Sequence, residues 1–352
     1  MTPELVLHIG AGKCGSSSLQ SYLSQNSAHT SRHGRKYEYV AIGGNGKPLR
    51  GQNLKNYAAK SPYGYACYPP IGANGKQLGI ILDSATTLRA MKSEDITPIL
   101  SCEGWIKESK QFTESRVLEK IGLVTDVVLY VRPPLDWINS AYWQWGAWTG
   151  AGFERWLKNA HTGVFWGDFA ESWRNVPNVR HVQMRLATND IVTDFMQRIE
   201  CDLQGHAQAL NSGSSGDFLR FLQRNRIYRF DPHSPQVEFI FNRLITEKSS
   251  KTPWIIEPKL QDWIFQCLGD HYKSLHNYLS PADWETVLGD SRWWDASSYV
   301  NREVEDAAAV NDIAGADRLI SQLLDAIIAG DLVSGSETLA TAASESPVVS
   351  QA

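Results

Sequence analysis

The sequence predicts an α/β fold, a parallel sheet flanked by helices and followed by a mainly helical carboxyl-terminal part. Three observations predict it. Short apolar runs alternate with helical patterns as far as Ile199. A glycine-rich turn joins the first run to the first helix. Residues able to do chemistry recur where the apolar runs end. Strands alternating with helices build a parallel sheet covered on both faces, and such sheets bind ligands outside the carboxyl ends of their strands.

Leu5 to Ile9 (LVLHI) reads as a short buried strand. Gly10 to Gly15 is a glycine turn carrying one cation, Lys13, and Ser16 opens a helix with Leu19, Tyr22 and Leu23 as its apolar stripe. Strand, glycine turn and helix start together make an anion site. Glycines let the backbone approach an anion, and the free N–H groups of the first helical turn point at it. Lys13 adds a point charge, and Ser16, Ser17 and Ser18 add hydroxyl donors. The expected ligand is a phosphate or a sulfate; the alternative is a tight turn with a serine cap and no ligand. The loop is not a Walker A motif. That motif needs Gly at position 7 and Ser or Thr at position 14, where this chain has Leu7 and Cys14. A thiol is a poor replacement for the hydroxyl that binds magnesium.

Lys36 to Ile42 reads as a second strand. Gly43 to Gly75, rich in Gly, Pro, Asn and Tyr, reads as a long loop. Such loops are uncommon in compact domains unless they are functional, so this one is expected to be a substrate-side insertion. Leu78, Ile81, Leu82, Ala85 and Leu88 recur at helical spacing, so Gln77 to Met91 is expected to be a helix. That sets Asp83 on a helix instead of at the end of a Walker B strand. Ile96 to Cys102 is a short strand with Glu103 at its carboxyl end. Glu114 to Ile121 is a helix, with Thr113 as N-cap. Asp126 to Val131 (DVVLYV) is the best strand, dense in β-branched and aromatic residues. It ends in Arg132, and a helix from about Leu135 to Trp148 follows. Val179 to Met184 is a strand and Asp190 to Ile199 a helix. Helical patterns then cover Asp217 to Arg224, Val237 to Thr246, Pro258 to Leu279, Pro281 to Leu288 and Ala316 to Ala329. Ser334 to Ala352 has no period and reads as a disordered tail. This organises the chain as a 1–230 core, a 231–333 helical extension and a 334–352 tail.

Composition narrows the classes. The chain has 352 residues, 42% hydrophobic and 20% charged, as is ordinary for a soluble globular protein. A formal net charge of -4 offers no basic field for nucleic acid. No apolar run approaches the roughly 20 residues of a membrane helix. A strand is expected to begin almost at once, so no signal peptide is expected. Five cysteines without zinc-ligand spacing read as reduced thiols of a cytoplasmic protein, and no metal site is expected. Oligomeric state is not readable.

Arg132 and Ser140 form a second constellation, the serine eight residues further on and in the next helix. An arginine at a strand end can hold a phosphate bidentately, with the hydroxyl as an extra donor; the alternative is a structural ion pair. A Walker B strand ends in an acid that holds magnesium, whereas this one ends in a cation.

The two constellations together resemble the sulfotransferases that use 3′-phosphoadenosine-5′-phosphosulfate (PAPS). The first loop of that family reads roughly P-K-x-G-[ST]-[ST] before a helix; here it is Gly12-Lys13-Cys14-Gly15-Ser16-Ser17. The second family motif is a strand, an Arg and a Ser eight residues later, matched by Val131-Arg132 through Ser140. The tracts LHIGAGKCGSSSLQ and LYVRPPLDWINSAYWQW are most similar to bacterial members acting on carbohydrates. The resemblance covers roughly residues 4 to 230 and implies a P-loop-NTPase-like sheet. It implies that Gly12, Lys13, Cys14, Gly15, Ser16, Ser17 and Ser18 grip the 5′ phosphosulfate and that Arg132 and Ser140 grip the 3′ phosphate. It also implies an acceptor hydroxyl on a saccharide or glycoconjugate. The chain departs from the family at Gly12, where Pro is usual, and at Pro133, where Asn or Asp is common. The glycine-and-lysine motif of aryl and steroid enzymes is absent, which argues against an aryl acceptor.

Sulfuryl transfer needs an in-line acceptor, stabilisation of the charge on the leaving phosphate by Lys13 and the turn amides, and a base. Glu103 is the favoured base by its position and by the resemblance. His8 lies inside a strand and reads as core; His29 and His33, in a polar loop, read as solvated. Seven tryptophans crowd between Trp137 and Trp173. Most read as core, with Trp145 and Trp148 expected to reach a pocket. Two rival readings remain: an ATP-dependent small-molecule kinase, and a nucleotide-binding relative without catalysis.

Overall fold

Strand β1 (Leu5–His8) is buried at all four positions, because it lies inside the sheet with a parallel neighbour on each side. The structure is a computed structural model and describes residues 3–72, 76–187, 190–205, 213–245, 250–269, 271–308, 313–323 and 325. The tail expected from Ser334 onward lies outside them, as does the end of the helix expected from Ala316. Helix α1 (Ser16–Gln25) follows the glycine turn and buries Leu19, Tyr22 and Leu23. At the sheet edge β2 (Ala28–Thr30) pairs antiparallel with β3 (Lys36–Tyr39). A small ribbon of β4 (Ala41–Ile42) and β5 (Pro48–Leu49) precedes helix α2 (Gly51–Lys60).

Next come α3 (Lys76–Asp83), α4 (Ala85–Ser93) and β6 (Ile96–Ser101). A 3₁₀ turn at Glu103–Lys107 leads into α5 (Ser109–Ser115) and α6 (Val117–Ile121). β7 (Thr125–Val131) is buried along its whole length and runs into α7 (Pro134–Gln144). α8 (Phe153–Ala160), α9 (Trp166–Arg174), β8 (Val179–Leu186) and α10 (Ile191–Arg198) complete the alternating part. The rest is helical: α11 (Gly216–Arg224), α12 (Gln236–Leu244), α13 (Pro258–Leu268) and α14 (Pro281–Gly289).

The six-stranded sheet has the order β2-β3-β6-β1-β7-β8. Every pairing in it except β2 with β3 is parallel. β1 is therefore flanked by β6 and β7, with His8 opposite both Ser101 and Val128. That register brings the glycine turn, Glu103 and Arg132 out at one edge. One hydrophobic cluster holds residues on both sides of position 230, from Leu5, Val128 and Leu129 in the sheet to Trp254, Ile264 and Leu319.

Several local expectations change. The segment 43–75 is not one long loop: its described residues, 43–72, hold β5, which pairs with β4, and α2, whose buried face is Leu54 and Ala58. The helix expected at Gln77 to Met91 breaks at Ser84, whose hydroxyl bonds the Ile81 carbonyl, and Asp83 ends the first half. Thr113 is not an N-cap. It lies within α5 and its hydroxyl returns to the Ser109 carbonyl, while Arg116 in the left-handed region separates α5 from α6. The helical pattern from Pro258 to Leu279 stops at Leu268, with Gly269 at positive φ, and resumes as a 3₁₀ turn at Lys273–Asn277. His29 is buried on β2 instead of solvated, and burial lowers its pKa. His33 is exposed beside Glu200.

Candidate active site

The glycine turn between β1 and α1 is shaped by two steric demands. A Cβ on Gly10 would stand 2.5 Å from Ser16 Oγ, and one on Gly12 would stand 2.7 Å from the Trp145 ring and 3.3 Å from Glu103 Oε2. Only glycine lets the loop lie that close to α1, Trp145 and Glu103. Lys13 has φ of 67°, a left-handed conformation unusual for a residue with a side chain, and such backbone strain gathers at functional sites. Neighbours hold the loop in place. Trp137 Nε1 donates to the Gly12 carbonyl at 2.7 Å, and Arg132 Nη1 donates to the Lys13 carbonyl at 3.1 Å. Gly15 precedes α1, and no side chain caps the first turn of that helix.

The loop floors a cavity of about 690 Å³. Lys13, Cys14, Gly15, Ser16, Ser17 and Ser18 line it, and Glu103, Arg132 and Ser140 join them from the ends of β6 and β7 and from α7. Gly12 lies under the lining, with its carbonyl turned to Trp137. Ser17 donates to Glu103 Oε1 at 3.4 Å, and Lys13 Nζ donates to Gln144 Oε1 at 3.2 Å. Ser16 Oγ is buried without a hydrogen-bond partner in the protein, a polar atom whose desolvation no protein group compensates.

The electrostatics follow from burial. Burial lowers the Lys13 pKa, opposed by Glu238 and Glu103. Burial raises the Glu103 pKa, opposed by Lys13 and by the hydrogen bond from Ser17. Cys14 is pushed up to about 12 by burial, so its thiol is neutral. His8 falls to about 3 by burial and bonds Ser101 at 2.8 Å, so it is a neutral core residue.

No family model matches this chain, and no curated protein matches it. Among solved structures, a sulfotransferase from Alicyclobacillus acidocaldarius aligns with 68% of this chain and 94% of its own, at 14% identity and a TM-score of 0.36. That likeness is too slight to bear on activity.

Trp145 lines the cavity, whereas Trp148 is buried with its Nε1 on the Trp143 carbonyl. Several lining residues carry no local signal in the sequence. Asp136 joins Arg302 at 3.0 Å and Arg292 at 3.4 Å, and Arg302 lies over Trp254 at 4.6 Å. Glu238 accepts from Ser214 at 2.8 Å. Tyr63 and Tyr65 had a weak signal, as aromatic residues in the segment read as substrate-side. Asp136 lies on α7 between Arg132 and Ser140, whereas Ser214, Glu238, Trp254 and Arg302 come from the part of the chain after α10 and meet the glycine turn only in the fold. No helix among the described residues is long and apolar enough to cross a membrane.

Proposed function

We propose that this chain is a sulfotransferase that moves a sulfuryl group from PAPS to an acceptor hydroxyl, on a saccharide or glycoconjugate. The supporting observation is that Lys13, Glu103 and the Arg132–Ser140 pair, from three separate stretches of sequence, line one cavity. The residues fit the donor: the unpartnered Ser16 Oγ, the uncapped start of α1 and two cations suit its anionic groups. Gly12 to Ser18 would hold the 5′ phosphosulfate, and Arg132 with Ser140 the 3′ phosphate. When bound, the donor supplies an activated sulfuryl group.

The chain's own groups do the rest. Lys13 and the turn amides oppose negative charge at the loop, in a site where water no longer screens them. Glu103, with its pKa raised by burial, takes the acceptor proton. The 1–230 core would supply these groups, with Glu238, Phe239, Trp254 and Arg302 of the following part lining the same cavity.

The test is thermal shift and calorimetry with adenosine 3′,5′-bisphosphate in excess chelator, against ATP with Mg²⁺. Binding of the bisphosphate without metal is expected, because Cys14 and Arg132 stand where a magnesium site would need a hydroxyl and an acid. Tighter binding of ATP–Mg²⁺ would favour a kinase and overturn the reading. Bisphosphate binding with no transfer to any acceptor hydroxyl would favour a non-catalytic relative.

Arg132→Ala is expected to weaken bisphosphate binding by about 10- to 150-fold, the equivalent of roughly 1.5–3 kcal/mol for a charged hydrogen-bond pair. Adenosine 5′-phosphosulfate, which lacks the 3′ phosphate, should lose much less. Equal losses for the two ligands would show that Arg132 acts on the loop through the Lys13 carbonyl instead.

A further inference from the structure

In the cavity, Ser17 touches both Glu103 Oε1, at 3.4 Å, and the Tyr65 hydroxyl, at 3.5 Å. Tyr65 belongs to a cluster of three rings that all line the cavity. Tyr63 and Phe239 stand edge to face at 5.2 Å, Tyr65 and Phe239 at 6.2 Å, and Tyr63 and Tyr65 are 5.9 Å apart.

The tyrosines sit on a firmly held stretch of chain. Ala66 N–H donates to Ser24 Oγ at 3.2 Å, and the Ala66 carbonyl accepts from the Tyr39 hydroxyl at 2.8 Å. Tyr68 N–H donates to the Ser101 carbonyl at 2.9 Å. Glu108 accepts from the Ile71 and Gly72 N–H groups at 2.7 and 3.0 Å. These bonds tether the chain just after the tyrosines, and α12 sets Phe239 against their rings. On the same face of α12, Glu238 and Asn242 also line the cavity, both bonded to Ser214 Oγ, at 2.8 and 3.0 Å.

We propose that Tyr63, Tyr65 and Phe239 form the acceptor subsite and that it takes a pyranose ring of a saccharide; this rests on the sulfotransferase reading above. Aromatic faces receive the C–H face of a sugar ring. Asn242 offers an amide to its hydroxyl edge, while Glu238 is held by Ser214 and Arg229. The cluster begins beside Glu103, so a ring held there presents a hydroxyl to the base.

The experiment is saturation-transfer NMR on the full chain loaded with adenosine 3′,5′-bisphosphate, with cellohexaose, chitohexaose and dextran as probes. At least one sugar is expected to bind. Phe239→Ala and Tyr63→Ala should each weaken that binding at least tenfold, with bisphosphate affinity unchanged. Phe239→Leu keeps the bulk without the π face and should show the same loss if Phe239→Ala does not fold; Tyr65→Phe should keep sugar binding. No signal from any of the sugars, undiminished binding in the leucine variant, or an equal loss of bisphosphate affinity would each overturn the assignment. Failure of the unaltered chain to bind the bisphosphate would instead overturn the sulfotransferase reading itself.

Discussion

Glu103→Gln is expected to lower the single-turnover rate of sulfuryl transfer by about a hundred- to ten-thousand-fold, the usual worth of a placed general base, and to leave bisphosphate affinity and fold intact. Glutamine keeps the shape and the contact with Ser17 but cannot take a proton. The pH profile gives an independent readout. Burial raises the Glu103 pKa, so the carboxylate form that acts as base is lost as pH falls through that raised value. The acid limb of the rate should therefore lie above the ordinary carboxylate range and disappear in Glu103→Gln. The competing role is a carboxylate that only holds Lys13 and Ser17 in place. In that case donor affinity or melting temperature would change, and the rate of the bound complex would not. An unchanged rate would move the search to the remaining histidines, although His8 and His29 are buried and both have lowered pKa values.

Lys13→Ala is expected to lower turnover by about a hundred- to thousand-fold, roughly 3–4 kcal/mol in the transition state for one preorganised charge-stabilising donor. The lysine is well prepared for that role. Its backbone is strained into the left-handed region, its carbonyl is held by Arg132 and its ammonium rests on Gln144. A second consequence separates chemistry from folding. Lys13 lowers the Glu103 pKa, so its removal should move the acid limb of the rate profile to higher pH. Near-normal turnover, or an acid limb that stays in place, would show that the loop lysine serves structure alone. The two substitutions touch one network, so their effects should not add.

The alternating core, and the meeting of the glycine turn, Glu103 and Arg132 at one edge of the sheet, were legible in the sequence. Those features are local. LVLHI and DVVLYV read as buried strands by composition, and GAGKCGSSS as a glycine turn into a helix. Arg132 and Ser140 are a strand end and a helical position at fixed spacing, so their joint presence in the cavity was also readable. Tertiary structure alone decided the rest. Whether 43–75 was loop or helix depended on a place for Leu54 and Ala58 to be buried, and weak local patterns yield to packing. His29 looked solvated because its neighbours in sequence are polar, yet pairing of β2 with β3 buries it. Trp145 and Trp148 were indistinguishable in sequence, and only the end of α7 at Gln144 turns one toward the cavity and the other into the core. The wall of Tyr63, Tyr65 and Phe239 joins segments more than a hundred residues apart. No periodicity or spacing encodes such a meeting, because it comes from the packing of α12 against the pinned chain before α3.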